Sequence, residues 1–170
     1  MFLIRREEAG DVSAIRRVHE RAFNGPIEAK LVELLRDSNK AIISLVALCN
    51  DKVVGHILFS QVTFESNPHN IKGLGLAPMA VLPEYQKRGI GSRLIIQGLE
   101  ESRKKCYGIV VVLGHKNYYS RFGFKRASAY NLGNEYQADE SFMALELREG
   151  ALNSVCGIVK YQPEFSELEC

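Results

Sequence analysis

The chain has 170 residues, and 22 Lys and Arg residues against 20 Asp and Glu residues give a formal net charge of only +2 at pH 7. This length predicts a single domain, residues 1–170, that buries a core without needing disulfides or metals. The 46% hydrophobic and 25% charged fractions exclude disordered, collagenous and coiled-coil classes. The balanced charge argues against a nucleic-acid or membrane partner.

Export and redox signals are absent from the printed sequence. The apolar run Met1–Ile4 is too short for a signal-peptide core. The longest apolar stretch, Ala41–Cys49, falls well short of the roughly 20 residues that span a bilayer. None of the four cysteines (Cys49, Cys106, Cys156 and Cys170) forms a C-x-x-C pair. We therefore expect free thiols, no bound metal and a cytoplasmic location.

Residue spacing predicts two helices and three strands in the first part of the chain. In chain order they are a strand at Phe2–Arg5, helices at Asp11–Phe23 and from Ile27 to Leu35, and strands at Ala41–Cys49 and Val53–Phe64. Asp11 is the predicted N-cap of the first helix, and Pro26 suits the first turn of the second. Asn50-Asp51 predicts a hairpin turn between the two longer strands.

The rest of the chain predicts a strand, a long helix and a buried strand, followed by shorter elements. In order these are a strand at Leu74–Leu82, a helix at Gly89–Lys105, a strand at Ile109–Leu113, a short helix at Lys116–Phe122, and strands at Phe124–Ala127, Ser141–Arg148 and Gly157–Tyr161. Pro78 lies inside its strand, which implies a bulge or an edge there. The central strand–helix–strand order predicts a right-handed βαβ crossover in a mixed sheet, and so an α+β fold.

The segment Pro83–Arg93 carries the clearest chemical signal. A strand ends, Lys87 and Arg88 follow, and two glycines, Gly89 and Gly91, open a helix. Glycine lets a ligand approach the backbone closely, and the first amides of a helix favour anions such as phosphate. Dinucleotide and P-loop fingerprints starting at Gly89 both require a glycine where Leu94 stands, so both are excluded. What remains is a Q-x-x-G-x-G pattern at a strand-to-helix turn.

Two segments together carry a family resemblance. Leu76–Gly91 resembles the acetyl-CoA motif of the GNAT superfamily of N-acetyltransferases. Asn117–Phe124, in which Tyr119 stands four residues before Gly-Phe, resembles that superfamily's second signature. The residues of these two segments, and those of the terminal segment Gly157–Phe165, are most similar to the bacterial YhbS-like branch. The resemblance implies the GNAT acyl-CoA N-acyltransferase fold, a mixed, mostly antiparallel twisted sheet of about seven strands flanked by about four helices.

The resemblance also implies roles for particular residues. The implied cofactor-binding set is Met79, Ala80, Val81, Gln86, Lys87, Arg88, Gly89, Ile90, Gly91, Ser92 and Asn117. In the family, the strand backbone pairs with the pantetheine arm and the loop amides hold the pyrophosphate. Pro78 fits the bulged strand that opens the cofactor cleft. Asn117 matches a position near the pantetheine or sulfur end.

Acetyl transfer to an amine needs a polarised carbonyl and a proton for the departing thiolate. A strand N–H near Val81 suits the carbonyl oxygen. A phenol, with a pKa near 10, is protonated at pH 7 and can donate that proton, and Tyr119 occupies the matching position. The general base stays open: the strand of Met79 carries no carboxylate. Candidates elsewhere are Glu28, His56, Glu65, His115 or a water, of which Glu28 and His115 are the predicted substrate-side residues.

The sequence therefore predicts an acetyl-CoA-dependent N-acetyltransferase that uses direct transfer in a ternary complex. The acceptor is a primary amine on a small molecule or a protein, and the polar stretch Ala127–Glu140 favours a polar acceptor. One alternative is a non-catalytic acyl-CoA-binding module or sensor. Another is an RNA-binding protein that uses Arg16, Arg17 and Arg21, against which the near-neutral charge argues. The oligomeric state stays open, although dimers are common in the family.

Overall fold

A computed structural model of the chain describes residues 1–168, so Cys170 lies outside the described residues. Within that range the strands are β1 (Phe2–Arg6), β2 (Ala41–Cys49), β3 (Lys52–Ser66), β4 (Gly73–Val81), β5 (Ile109–Leu113), β6 (Lys125–Arg126), β7 (Leu132–Asn134), β8 (Phe142–Glu146) and β9 (Cys156–Lys160). The helices are α1 (Val12–Phe23), α2 (Ile27–Asp37), α3 (Ile90–Lys104), α4 (Lys116–Tyr119) and α5 (Glu164–Glu167).

One compact unit consists of Met1–Phe59, Ala77–Gly98 and the segment from Pro163. Its strands lie in the order β1-β2-β3-β4, with β1 antiparallel to β2. The hairpin between β2 and β3 turns at Asn50 and Asp51, both with positive φ, as the type I′ geometry of two-residue hairpins requires. This confirms the predicted turn.

Helices α1 and α2 each bury an apolar stripe in this unit. In α1 the buried residues are Ile15, Val18 and His19, at helical spacing, and in α2 they are Ala29, Val32 and Leu35. The buried face of α1 accounts for its helical spacing of apolar residues, and it places His19 in the interior. Asp11 is the N-cap residue of α1, as predicted, but its carboxylate accepts from Glu8 N and Arg5 instead of capping α1.

The second compact unit consists of Ser60–Leu76 and Leu99–Gln162. Strand β5 pairs in parallel with Gly73–Gly75 of β4 and antiparallel with β8, and β8 pairs with β6. Strand β9 pairs antiparallel with the end of β3 and parallel with β7. The parallel β4–β5 pairing across α3 confirms the predicted crossover connection. Four residues of β5 are buried, which confirms the prediction of an interior strand.

Three details differ from the sequence prediction. Strand β7 falls in the polar stretch Ala127–Glu140, where no strand is predicted, because its partner, β9, is remote in sequence. The predicted strand Phe124–Ala127 shortens to β6, because a 3-10 turn begins at Ala127. At the expected bulge the Ala77–Pro78 peptide is cis. Within residues 1–168, no helix has the length and apolar character needed to cross a bilayer.

Candidate active site

The predicted anion-binding turn has the geometry of a ligand cradle. Lys87 and Gly89 adopt left-handed conformations, with φ of 63° and 82°, and such residues in a turn orient backbone amides toward a common point. The first helical hydrogen bond of α3 runs from Arg93 N to Gly89 O, at 3.1 Å. The amides of Ile90 and Gly91 precede it and so face out of the helix. The space beside Gly89 is open: a Cβ there would meet no atom within 4 Å.

The two cations of this turn are exposed, and one is held by an aromatic ring. The guanidinium of Arg88 lies 5.3 Å from the ring centroid of Tyr85, and Lys52 Nζ lies 5.8 Å from the same centroid. Glu84, beside Tyr85, forms an ion pair with Arg21 of α1 at 2.6 Å. The ring therefore restrains Arg88 by cation–π attraction near the amides of the turn. Local positive charge and outward amides together suit a phosphate-bearing ligand.

The end of β4 is tied directly to this turn. The side-chain amide of Gln86 donates to the carbonyl of Val81 at 3.0 Å, and Leu82 N donates to Val54 O at 2.8 Å. Ala80 and Val81 are buried, whereas Met79 is partly exposed. All of the predicted cofactor residues from Met79 to Ser92 thus belong to one unit. The Gln86 side chain is engaged within the protein, so its contribution there is to fix the loop.

Tyr119 lies in the second unit, at the end of α4. Its ring packs edge-on to Tyr118 and Phe124, with centroids 5.1 and 5.7 Å away. Gly114 faces this ring, and a Cβ at Gly114 would overlap it. Burial, with a smaller effect of Tyr118, raises the pKa of Tyr119 to about 12. The hydroxyl therefore stays protonated throughout the physiological range, which a proton donor requires.

The remaining predicted site residues differ in their surroundings. Asn117 and His115 are exposed on and next to α4, in the same unit as Tyr119. Glu28 is half-buried in the first turn of α2. Glu65 accepts a hydrogen bond from Ile158 N at 2.9 Å, which gives its carboxylate a structural task between β3 and β9.

A chain of polar side chains crosses the interior of the first unit, and the sequence analysis missed most of it. Arg36 forms a two-point ion pair with Glu7 at 2.7 and 2.9 Å. The Ser44 hydroxyl donates to the same carboxylate at 2.8 Å and also contacts His56 Nε2 at 2.8 Å. His56 Nδ1 in turn lies 2.8 Å from His19 Nε2. Both ring nitrogens of the base candidate His56 are therefore already bonded.

The surroundings of Glu7, His19 and His56 set the protonation states of these three side chains. Burial alone would raise the pKa of Glu7, but hydrogen bonds from Arg36 and Ser44, with His56 Nε2 3.6 Å away, hold that pKa well below its usual value. Burial lowers the pKa of His19 to about 3, and the neighbouring His56 and Arg36 act in the same direction. Burial also lowers the pKa of His56, against the opposing effect of Glu7. At neutral pH Glu7 is therefore ionised, and His19 and His56 are both neutral.

These shifts predict acid destabilisation that begins in a mild pH range. In the unfolded chain His19 takes up a proton below about 6.5, but the folded protein resists this until about pH 3. The buried, neutral His19 therefore leaves the free energy of unfolding at its full value above pH 6.5. As the pH falls below 6.5, that free energy decreases by on the order of 1 kcal/mol per pH unit. Glu7 acts in the same direction below about pH 4.5. Denaturant unfolding of the wild type and His19→Gln between pH 7.5 and about pH 5 measures this.

We expect the free energy of unfolding of the wild type to fall through this range and that of His19→Gln to fall less. His69, exposed in the loop before β4, provides the control variant His69→Gln, whose pH dependence should match the wild type. Equal slopes in all three proteins would contradict the assigned state of His19.

An open, mixed and mostly antiparallel sheet, flanked by helices and carrying a glycine-opened helix after β4, is the GNAT fold. A family profile described as "Acetyltransferase (GNAT) domain" matches residues 3–127. The N-acetyltransferase YhbS of Escherichia coli K12, itself described as uncharacterized, is 35% identical over 167 residues, 97% of this chain and 99% of that protein. The chain therefore belongs to the GNAT acetyltransferase family.

Two solved structures extend this likeness to the fold. The crystal structure of Escherichia coli YhbS in complex with CoA matches with a TM-score of 0.91, covering 97% of this chain and 92% of that one. A GNAT acetyltransferase from Brucella melitensis, in complex with acetyl-CoA, matches with a TM-score of 0.79 at 33% identity, covering 97% of this chain and 98% of that one. The family resemblance identified in the sequence is thus confirmed.

Proposed function

We propose that this protein transfers an acetyl group from acetyl-CoA to a primary amine by direct attack in a ternary complex. The observation that carries the proposal is the turn from Gln86 to Ser92: left-handed Lys87 and Gly89, outward amides and a restrained Arg88. That combination suits a pyrophosphate. The two similar structures that hold CoA and acetyl-CoA support the same ligand here.

In the proposed reaction each group of this chain has a defined task. The backbone of Met79, Ala80 and Val81 pairs with the pantetheine arm, and Asn117 contacts its sulfur end. The Val81 N–H polarises the thioester carbonyl. The amine nitrogen forms the new bond to the carbonyl carbon, the carbon–sulfur bond breaks, and its electron pair leaves on sulfur. Tyr119 gives that sulfur a proton.

The proton that the amine loses passes to solvent or to a group on the acceptor side. Glu28 and His115 remain the proposed acceptor-side residues, whereas the Glu65 carboxylate is engaged by Ile158 N. We also propose that the protein acts in the cytoplasm as a single domain.

Two other functions are less well supported. Of the three arginines in α1 that an RNA-binding role would need, Arg16 pairs with Glu33 and Arg21 with Glu84. Those ion pairs compete with phosphate contacts. A non-catalytic acyl-CoA sensor would need the turn but not Tyr119. A protonated, buried tyrosine at the family's position for a proton donor favours the enzyme instead.

The function is tested by thiol release from acetyl-CoA in the presence of a panel of amines. The panel contains phenethylamine, spermidine and a peptide with a free N-terminus and one lysine. We expect release that depends on at least one of these amines and saturates in both substrates. Tight acetyl-CoA binding without amine-dependent release would instead establish the sensor. No binding of acetyl-CoA would refute both.

A further inference from the structure

The hydrogen bonds of the polar chain fix the tautomer of each histidine. The single Ser44 hydroxyl proton goes to the Glu7 carboxylate, so the Ser44 oxygen must accept from His56 Nε2. His56 Nδ1 is then the acceptor, and His19 Nε2 donates to it. A neutral imidazole has one donor and one acceptor nitrogen. The remaining nitrogen, His19 Nδ1, therefore carries a lone pair.

That lone pair accepts no hydrogen bond within residues 1–168 of the folded protein. His19 is completely buried, and its Nδ1 has no hydrogen-bond partner anywhere in residues 1–168. Buried polar atoms are nearly always paired, because an unpaired one loses its hydration without compensation. The hydrogen bonds that join Arg36, Glu7, Ser44, His56 and His19 are 2.7 to 2.9 Å long. His19 Nδ1, at one end of this hydrogen-bonded series, is thus an acceptor to which no donor within residues 1–168 bonds.

The position of His56 relates this acceptor to the proposed cofactor strand. Six residues join β3 to β4, too few for a parallel crossover, so the two strands are antiparallel. The bond from Leu82 N to Val54 O then places His56 opposite Ala80. Directly opposite residues share a face of the sheet. His56, and His19 bonded to it, therefore lie on the face that Ala80 presents, beside the strand proposed to hold the pantetheine arm.

One aromatic ring that packs on His19 is itself exposed at the surface. Phe23, the last residue of α1, stacks on the His19 ring with a centroid distance of 6.0 Å and an interplanar angle of 5°. Phe23 as a residue is 43% exposed, so its ring lies between His19 and solvent. Within residues 1–168, the side chain bonded to His19 is the imidazole of His56, and the carboxylate of Glu7 further along the polar chain is neutralised by Arg36. The surroundings of His19 thus favour an apolar or aromatic ligand over a polycation.

We propose that His19 Nδ1 accepts a hydrogen bond from the N–H of the acceptor amine, and that this amine is a primary amine on an aromatic or apolar carrier. The carrier takes the place of the Phe23 ring. His56, Ser44 and Glu7 are positioning residues, which act by keeping the acceptor nitrogen of His19 unprotonated. This inference rests on the proposed acetyltransferase function and names the acceptor class for it.

The kinetic test uses a pair of substitutions that separate the two nitrogens of His19. In His19→Gln the side-chain amide N–H keeps the bond to His56, but the atom at the Nδ1 position is lost. His19→Asn keeps a polar atom at the Nδ1 position and loses the bond to His56. With phenethylamine as acceptor, we expect His19→Gln to lower kcat/KM for the amine by about tenfold to about a hundredfold. His19→Asn should lose less, and the Kd for acetyl-CoA should stay unchanged in both.

A merely structural His19 predicts a different pattern. Both variants would then lose stability, and any loss of activity would affect both substrates and follow the fraction of folded protein. Unchanged kcat/KM for phenethylamine in folded His19→Gln would overturn the proposal. So would a larger rate with spermidine than with phenethylamine.

A second measurement needs no variant. Imidazole ¹⁵N spectra of the wild-type protein with CoA should show His19 Nδ1 unprotonated and shifted on addition of phenethylamine. An acetylated amine that leaves this resonance unmoved overturns the inference while leaving the acetyltransferase function intact. An amine that moves the resonance but is never acetylated supports the inference and counts against the function. If no amine of the panel shifts the resonance and none is acetylated, both the inference and the acetyltransferase function are contradicted.

Discussion

Replacing Tyr119 with phenylalanine is expected to lower kcat by between about 100-fold and about 10,000-fold, the usual contribution of a general acid. The ring contacts with Tyr118 and Phe124 remain, so the fold and the affinity for acetyl-CoA should be unchanged. Only the proton for the departing thiolate is removed. Steady-state thiol release with saturating acetyl-CoA measures the effect.

The neighbouring tyrosine provides a matched control for this substitution. Tyr118 lies on the same short helix and is half-buried, so Tyr118→Phe removes a hydroxyl of the same kind one position away. We expect its kcat to stay close to that of the wild type. A wild-type kcat in Tyr119→Phe would remove the tyrosine from the mechanism, and a loss confined to Tyr118→Phe would show that the neighbouring hydroxyl is the donor.

The second large effect is expected from Gly89→Asp, which should weaken acetyl-CoA binding by about 100-fold or more. Gly89 combines a left-handed φ of 82° with open space for a side chain. A carboxylate there would enter the proposed phosphate site and place like charges together, which costs several kcal/mol. Isothermal titration with acetyl-CoA measures the loss directly.

Two further variants separate charge from backbone strain. Gly150 has a similar φ of 84° and equally open surroundings, so Gly150→Asp carries the same strain away from the turn. It should bind acetyl-CoA like the wild type. Gly89→Asn matches the aspartate in size without its charge and tolerates a left-handed conformation, so it should lose much less affinity than Gly89→Asp. Equal affinity in Gly89→Asp and Gly150→Asp would refute the phosphate-binding role of the turn.

Local patterns in the sequence were sufficient to predict the main elements of the fold. The apolar stripe Ile90, Leu94 and Ile95 specifies α3, and the apolar run from Ile109 specifies β5, because the residues that form these elements are close together in the chain. Strand β7 could not be predicted in this way. It has three residues and exists through its pairing with β9, more than 20 positions further on.

The same distinction applies to the candidate site. The turn around Gly89 and the Tyr119 signature are contiguous motifs, and the sequence identified both. The polar chain draws on residues 7, 19, 36, 44 and 56, which lie on or beside five different elements. Nothing in the local sequence distinguishes His19 from the apolar residues Ile15 and Val18 that share its stripe on α1. Only the tertiary structure shows that it faces His56, and that one of its nitrogens is left without a partner.

Mass spectrometry with acetyl-CoA labelled in its acetyl group tests the central claim of direct transfer most directly. In the presence of an accepted amine, we expect the label to appear on the amine nitrogen and free CoA to appear in equal amount. In the absence of the amine, we expect no label on the protein and no release of CoA. Labelled protein formed without an acceptor, or CoA released without an amide product, would contradict acetyl transfer in a ternary complex.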